Sequence, residues 1–515
     1  MISANLVEKL NEAGLHDNFM SLGRVLGESR WAEYCQDPVC PIEEDGTKYG
    51  LAVMLENLNR YLQSLDETTR AVSVGDFQKY AFPLVRAIFP ELVANSLVSV
   101  QPMLGPTSLV FYLDFVFGTD KGRVRRGDTM FSSIARGPQQ PSYTSPQVDE
   151  ETVTTGNPAG GSFNLSFVPV VPNSVVITDG TQTMRDDGNG NLTGDVTGTP
   201  TINYATGSIA SLAFAVAPAA GTPITATYSY DMEANPLIPE MDLVLQSSPV
   251  VARPHKLRTR WSLEAAFNLR SLHGLEAEVE LTSAVGSEIR FEIDREVILD
   301  LRRLAGSGST FWNRDLPSGV SFTEQKLSII DAFVVSSNLI HKATGRGTAT
   351  WMLIGENVAN VVETLPGFVP TPGLPSGLIK GVYRAGRLNG RWDVFKDPFY
   401  PDNDYMMGYK GASFLEAGYV YAPYIPLYTT PTVVLDDFIG RKGLATQYGK
   451  KSVNPLFYIT GRIGTGSELE SEAGLPSGTI SSGTPGVAVR THGSALDLPG
   501  ITDGRGIFGT KTPVV

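Results

Sequence analysis

The sequence predicts an α+β protein into which a small all-β module is inserted. Two helical stripes and one change of composition carry that reading. Leu51, Met54, Leu55, Leu58, Tyr61, Leu62 and Leu65 recur at i, i+3, i+4, i+7 spacing, the period of one helix face. Ile289, Ile293, Val297, Leu301 and Leu304 do the same in the longest helical run of the chain. Between Glu150 and Met232 the chain turns to Thr, Gly, Ser, Val and Ala in short alternating runs, the pattern of strands joined by tight turns. At 515 residues, with 53 glycines and 34 prolines, it is long enough for roughly three domains and rich in turns.

Taken in order, residues 1–67 read as a helical amino-terminal segment. Ser3 caps a short helix that Gly14 stops, and the Leu51–Leu65 stripe packs as a narrow seam on a core or on a partner helix. "FQKYAFPLVRAIFP" comes next, broken by Pro83 and Pro90. From Leu109 to Phe117 the only charged residue is Asp114, so this strand is expected to be shielded from water on both faces. "KGRVRRG" then supplies Lys121, Arg123, Arg125 and Arg126.

Within the inserted module, Ile224, Ala226, Tyr228 and Tyr230 point one way and Thr225, Thr227 and Ser229 the other. That alternation marks a half-buried strand. "DDGNGN" and "ATG" are hairpin turns, because Gly and Asn tolerate positive φ. From Glu151 to Tyr230 five acidic residues face a single basic one, Arg185. The expected object is a self-contained β-sandwich at 150–232.

Basic character resumes in "RPHKLRTRW", with Arg253, His255, Lys256, Arg258 and Arg260. In the long helix, Glu288, Arg290, Glu292, Asp294 and Arg295 are placed on the polar sides, with Arg290 and Asp294 paired at i,i+4. Gly306 ends it. "ATWMLIGENVANVVETL" reads strand then helix, and "GRWDVFKDPFYPDNDYMMGYKG" reads strand, aromatic loop, strand. From Gly464 the tail loses all periodicity.

Chemistry is excluded more than it is suggested. A net charge of −13 and a pI near 5.0 oppose sequence-independent nucleic-acid binding. Cys35 and Cys40 give half of a zinc spacing with no second pair, and reduced thiols in a cytoplasm are expected. No run reaches the ~18 apolar residues of a membrane span, and the charged amino terminus does not read as a signal peptide. The five histidines form no HExxH, and there is no nucleophile elbow and no Walker A loop. His273 and Glu276, three apart, read as surface residues of one helix start and not as a metal pair. No catalytic residue, cofactor or metal is expected, nor a membrane partner.

"YAFPLVRAIFPELVANSLVSVQPMLGPTSLVFYLDFVFGTDKG", "LRSLHGLEAEVELTSAVGSEIRFEIDREVI" and "GRWDVFKDPFYPDNDYMMGYKGASFLEAGYVYAPYIPL" with "TQYGKKSVNP" closely resemble the T-even-type bacteriophage major capsid proteins. The resemblance implies the Hong Kong ninety-seven (HK-type) capsid fold. On that pattern 1–67 is a possible scaffold or propeptide, 68–149 the arm and first half of an extended loop, and 150–232 the inserted sandwich. Then 233–260 is the second half of the loop, 261–349 a peripheral domain with a spine helix, 350–462 an axial domain, and 463–515 a tail. It also implies a shell of hexamers and pentamers enclosing double-stranded DNA without reading its sequence. Vertex, portal, scaffold and outer decoration proteins would be partners, and assembly would take place in the host cytoplasm. A vertex protein of the same family, or an encapsulin-like compartment, stays open as an alternative.

Two sets of site residues are expected. Arg123, Arg125, Arg126, Lys256, Arg258 and Arg260 of the extended loop should lie over Glu276, Glu278, Glu280, Glu288 and Glu292 of a neighbour's spine. In the resembling family a maturation protease cuts after a Glu preceded two positions earlier by Leu or Ile. Glu8, Glu12, Glu28, Glu44, Glu67, Glu240 and Glu356 fit, and Glu67, just past the Leu51–Leu65 stripe, is the expected site.

Overall fold

The computed structural model describes residues 19–68, 89–128, 143–465 and 487–490, apart from short breaks of which the longest is 372–380. The chain divides into two compact units. One is Leu113–Leu245, the other Met1–Tyr112 with Gln246–Val515.

The larger unit is α+β. One sheet has eight strands, in the order Phe368–Pro370, Tyr383–Leu388, Trp392–Lys396, Trp351–Ile354, Asp404–Gly408, Tyr458–Gly464, Ser309–Asn313 and Val487–Arg490. Trp351–Ile354 is buried at every position, which is why its sequence shows no alternation. The Ile329–Thr344 helix lies against this sheet. Phe333 meets Tyr405 edge-on at 5.0 Å, and the Thr310 hydroxyl is 2.7 Å from both Ser336 Oγ and Tyr405 Oη. Three buried hydroxyls thus satisfy one another.

A second sheet runs Ser99–Val100, Tyr419–Thr429, Ile439–Ser452, Arg253–Ser262, with Val433–Val434 also on Ile439–Ser452. The Ala277–Leu304 helix packs here. Of its expected stripe, Ile289, Ile293, Val297 and Leu301 are buried in one core with Tyr419, Tyr421, Leu444 and Tyr448, and Leu304, at the helix end, packs against that core only partly buried. Asp294 departs from its expected place on a polar side. It is buried, and its carboxylate accepts the Ala94 N–H at the start of the short Ala94–Leu97 helix. A neighbour on the Ile293–Val297 edge of the stripe is turned inward once another element covers that edge.

The amino-terminal helices belong to the same core. The Asp45–Thr68 helix is longer than its stripe, and Leu51 to Asn59 are buried without a break, so over these nine residues the helix is covered all round where a narrow seam was expected; the side chains of Leu62 and Leu65 lie outside the described residues. The helix runs through Glu67, which therefore sits in its last turn and not beyond its end. Cys35 is buried, its thiol directed at the Lys48 carbonyl 3.6 Å away. The Ser3–Gly14 helix, Cys40, Glu8, Glu12 and residues 77–88 lie outside the described residues. So does most of the tail. The Tyr458–Gly464 strand carries on past the expected boundary at 462, with Ile463 buried in the eight-stranded sheet's core.

The smaller unit contains the insertion. Gln147–Thr155, Pro223–Ser229, Val176–Thr178, Thr183–Asp186 and Leu192–Gly194 form one sheet, and Gly161–Asn164, Ser208–Leu212 and Thr201–Asn203 another. Val148, Ile177, Met184, Ile209, Ile224, Ala226, Tyr228 and Tyr230 fill a shared core. "DDGNGN" is a turn: Asp187 Oδ1 accepts the N–H groups of Asn189 at 2.8 Å and Asn191 at 3.1 Å, joining two paired strands. This local bonding replaces the turn's solvent contacts.

Thr107–Phe117 and Met241–Val251 pair as a two-stranded ribbon, with the Tyr112 hydroxyl donating to Gln246 at 2.6 Å. Leu109 and Phe111 are exposed in the single chain, because a lone ribbon has no second layer of its own over that face, the face expected to meet a neighbouring subunit. One expectation is corrected here: Arg253–Arg260 is not part of the ribbon. It pairs residue for residue with Ile439–Ser452 as the edge of the five-stranded sheet.

Candidate inter-subunit surfaces

The residues expected to meet a neighbour fall into separate groups. In the smaller unit, Lys121 and Val124 bridge a tight turn. The backbone N–H of Arg125 is held by Asp128 at 2.9 Å and that of Arg126 by Asp120 at 2.6 Å. Those bonds fix the backbone and leave both guanidinium groups exposed. Arg123 is engaged within the unit, in a 2.5 Å ion pair with Glu150; both partners are well exposed, so the pair contributes no more than ~1 kcal/mol.

Lys121 is a cation whose place sequence reasoning did not single out. It is buried, donates to the Tyr143 carbonyl at 3.1 Å and to the Ser145 carbonyl, and lies over the rings of Phe167 and Tyr230 at 5.8 and 5.1 Å. Burial lowers its pKa to about 8, with Asp149 pulling the other way. The run "KGRVRRG" distinguishes none of its four cations; only the ring partners, more than forty residues on, single this one out.

In the larger unit Lys256, Arg258 and Arg260 are exposed on the edge strand. Alternation places all three on one face, opposite Ala445, Gly443 and Arg441. His255, one residue before Lys256, turns to the other face. It stacks on Tyr448 at 4.5 Å and its Nδ1 lies 3.9 Å from Glu292.

The five acids of the long helix likewise divide. Glu278 is engaged by its own chain, receiving Lys442 at 2.8 Å and Thr432 at 2.9 Å. Burial raises its pKa, but those two donors outweigh it and the net shift is downward. Glu292 faces His255. Glu276, Glu280 and Glu288 are exposed and have no ion-pair partner among the described residues. One turn further along, Lys450 bridges Glu296 at 2.7 Å and Asp300 at 2.6 Å, and Tyr448 also donates to Glu296. Lys442 and Lys450 were not foreseen: they reach the helix only because Ile439–Ser452 lies across it. His273 and Glu276 do not share a helix. Gly274, at φ 67°, ends Leu263–His273, and Glu276 opens the next helix.

Apolar exposure completes the picture. Met241, Leu243 and Leu245 alternate outward along one strand, with Leu243 62% exposed. The Leu263–His273 helix has no buried residue, and Phe267 and Leu272 are 69% and 76% exposed.

A family model described as major capsid protein Gp23 matches residues 74–475. The major capsid protein of Vibrio phage KVP40 is 26% identical over 430 residues, covering 76% of this chain and 79% of its own. That of Enterobacteria phage T4 is 26% identical over 439 residues, covering 78% of each. Among solved structures, the capsid of cyanophage P-SCSP1u aligns over 46% of this chain and 80% of its own, at 9% identity and a TM-score of 0.32.

Proposed function

This chain belongs to the major capsid protein Gp23 family of tailed phages, and from that premise we propose how it builds the shell and which residues make its contacts. As a major capsid protein it self-assembles into the capsid shell of the virion. The observation that carries the contact reading is the separation of exposed charge. Glu276, Glu280 and Glu288 stand exposed on one helix, while Arg125, Arg126, Lys256, Arg258 and Arg260 stand exposed elsewhere. Groups that could neutralise one another are left open in the single chain, as a chain that completes itself on its neighbours requires.

In this reading the basic turn of one copy lies on the acidic helix of the next, and exposed apolar positions desolvate the junction. A stable contact of this kind buries ~1,000 Å² or more. The same junction, flexed slightly, forms both six-fold and five-fold rings of an HK-type shell. Portal, vertex, scaffold and decoration proteins join it, double-stranded DNA fills it without base readout, and assembly proceeds in the host cytoplasm. The role calls for no catalysis. Maturation cuts the chain after Glu67, for which the last turn of its helix must first unwind, as helix ends do at low cost.

Electron microscopy of particles assembled from the purified chain tests this. Rings of six with the Arg125–Arg126 turn on a neighbour's Glu276–Glu288 helix are expected. Rings joined through other surfaces would refute the contact assignment.

A further inference from the structure

The eight-stranded sheet treats its two edges differently. At one edge Phe368–Pro370 ends on a proline, which has no N–H to offer a further strand. Toward the other, Ser309–Asn313 carries no proline and no charge, and Thr310, Phe311 and Trp312 are buried. A regular, uncharged strand of that kind is a template for one more strand. It receives Val487–Arg490, antiparallel, with Ser309 opposite Arg490 and Trp312 opposite Val487. The other seven strands of the sheet lie within the matched residues 74–475, and this one lies beyond them.

The connection to it is longer than the gap it crosses. Tyr458–Gly464 flanks Ser309–Asn313 on the opposite side, in parallel, with Gly464 opposite Asn313. Gly464 and Val487 therefore stand at the same end of one strand, two strand spacings or ~10 Å apart. About four residues cross such a gap. Residues 465–486 number 22, and a chain of that length reaches at most ~70 Å.

We infer that Ser309–Asn313 is an inter-subunit strand acceptor: in the assembled shell the Val487–Arg490 strand that pairs with it comes from a second copy of this chain. The backbone bonds are the same whichever copy supplies the strand, so the exchange costs none of them. A single chain has no neighbour and closes the edge on itself. In a shell the reach of the connection decides the donor, and it extends well past the chain's own edge. Copies are then tied by main-chain pairing as well as by side chains. The inference rests on the chain forming a shell, and not on where the Arg125–Arg126 turn lies.

The test mixes two full-length chains before assembly, one carrying only Ser309→Cys and the other only Arg490→Cys. Opposite residues of an antiparallel pair lie ~4.5–5.5 Å apart at Cα, within disulfide reach. Mild oxidation of the finished shells should link positions 309 and 490, as read by peptide mapping, and in this mixture that link joins two copies. Mixed shells in which the two positions stay unlinked overturn the inference, whether or not a doubly substituted free chain links within itself. Electron microscopy of the same mixture tells failed assembly apart from failed exchange. Should no shells form, the full chain carrying Ala488→Pro with Val489→Pro decides, since proline cannot keep its own strand in the ladder. A labelled peptide of residues 484–493 should bind it saturably, and the same peptide with both prolines should bind at least tenfold more weakly. No saturable binding, or equal binding of the two peptides, overturns the inference.

Discussion

Asp294, in the middle of a helix of 28 residues, accepts a 3.0 Å hydrogen bond from the backbone N–H of Ala94, two hundred residues earlier in the chain. The carboxylate holds down the start of the short helix that leads into Ser99–Val100 and then the ribbon.

This bond has an unusual pH signature. Burial raises the Asp294 pKa from 3.8 to about 6, with the Ala94 and Val93 amides and Arg290 opposing and Asp397 adding to it. The folded state therefore holds this proton more tightly than the unfolded one. The contribution is full below pH ~4 and is lost as pH rises through about 6, the reverse of an ordinary carboxylate. Asp294→Asn keeps an acceptor for Ala94 and should flatten that part of the stability profile between pH ~4 and ~6. Asp294→Ala leaves the amide unpaired and should cost about 1–3 kcal/mol at pH 7. Urea titrations of both variants across pH check this; an unchanged profile in the Asn variant would refute it.

Lys450 carries the ordinary sign. Burial raises the Glu296 pKa, but Lys450 and Tyr448 outweigh it and the net shift is downward from 4.5. Stability from this pair is present above that value and lost as pH falls below it. Lys450→Met should lower stability by about 1 kcal/mol, discounted for partial exposure, and the difference from the native chain should vanish in acid. Thermal melts at neutral pH and in acid measure it.

Arg125 and Arg126 are exposed, with their backbone amides engaged. The double reversal Arg125→Glu with Arg126→Glu should leave the melting temperature of the single chain unchanged and sharply reduce the yield of shells. Adding Glu280→Lys with Glu288→Lys should restore part of it. Normal shell yield from the first variant, counted by electron microscopy, would exclude this turn from the junction.

Removing the insertion takes with it the rings over Lys121 and the Arg123 partner Glu150, but its two ends allow a single splice. The Tyr230 N–H bonds the Pro146 carbonyl at 3.0 Å, so its ends lie side by side and a short Gly-Ser linker can replace Gln147–Tyr230. The remaining chain should fold with the Trp351 and Trp392 core intact, read by near-ultraviolet circular dichroism. A chain that no longer folds would show that the module reaches further into its host.

What the sequence determined by itself was local. The Ile289–Leu301 stripe and the Ile224–Tyr230 alternation each name a buried face, and both faces are buried as read. Periodicity works there because one element presents one side to whatever covers it. The acidic and basic surface residues were legible as types, but not which of them are already engaged. Among the described residues Arg123, Glu278 and Glu292 find ionic partners in their own chain, whereas Glu280 and Arg125 do not, and nothing local separates them. Arg253–Arg260 looked like a loop strand beside the insertion; its partner, Ile439–Ser452, lies far on in the chain. Asp294 looked solvated until Ala94 arrived, and Asn57, which the stripe does not include, is buried because Met103 and Tyr424 close over it. Each of these was decided by the tertiary structure. A buried polar group needs a donor or acceptor, and which one it meets depends on how distant segments are brought together, which no window of neighbouring residues contains.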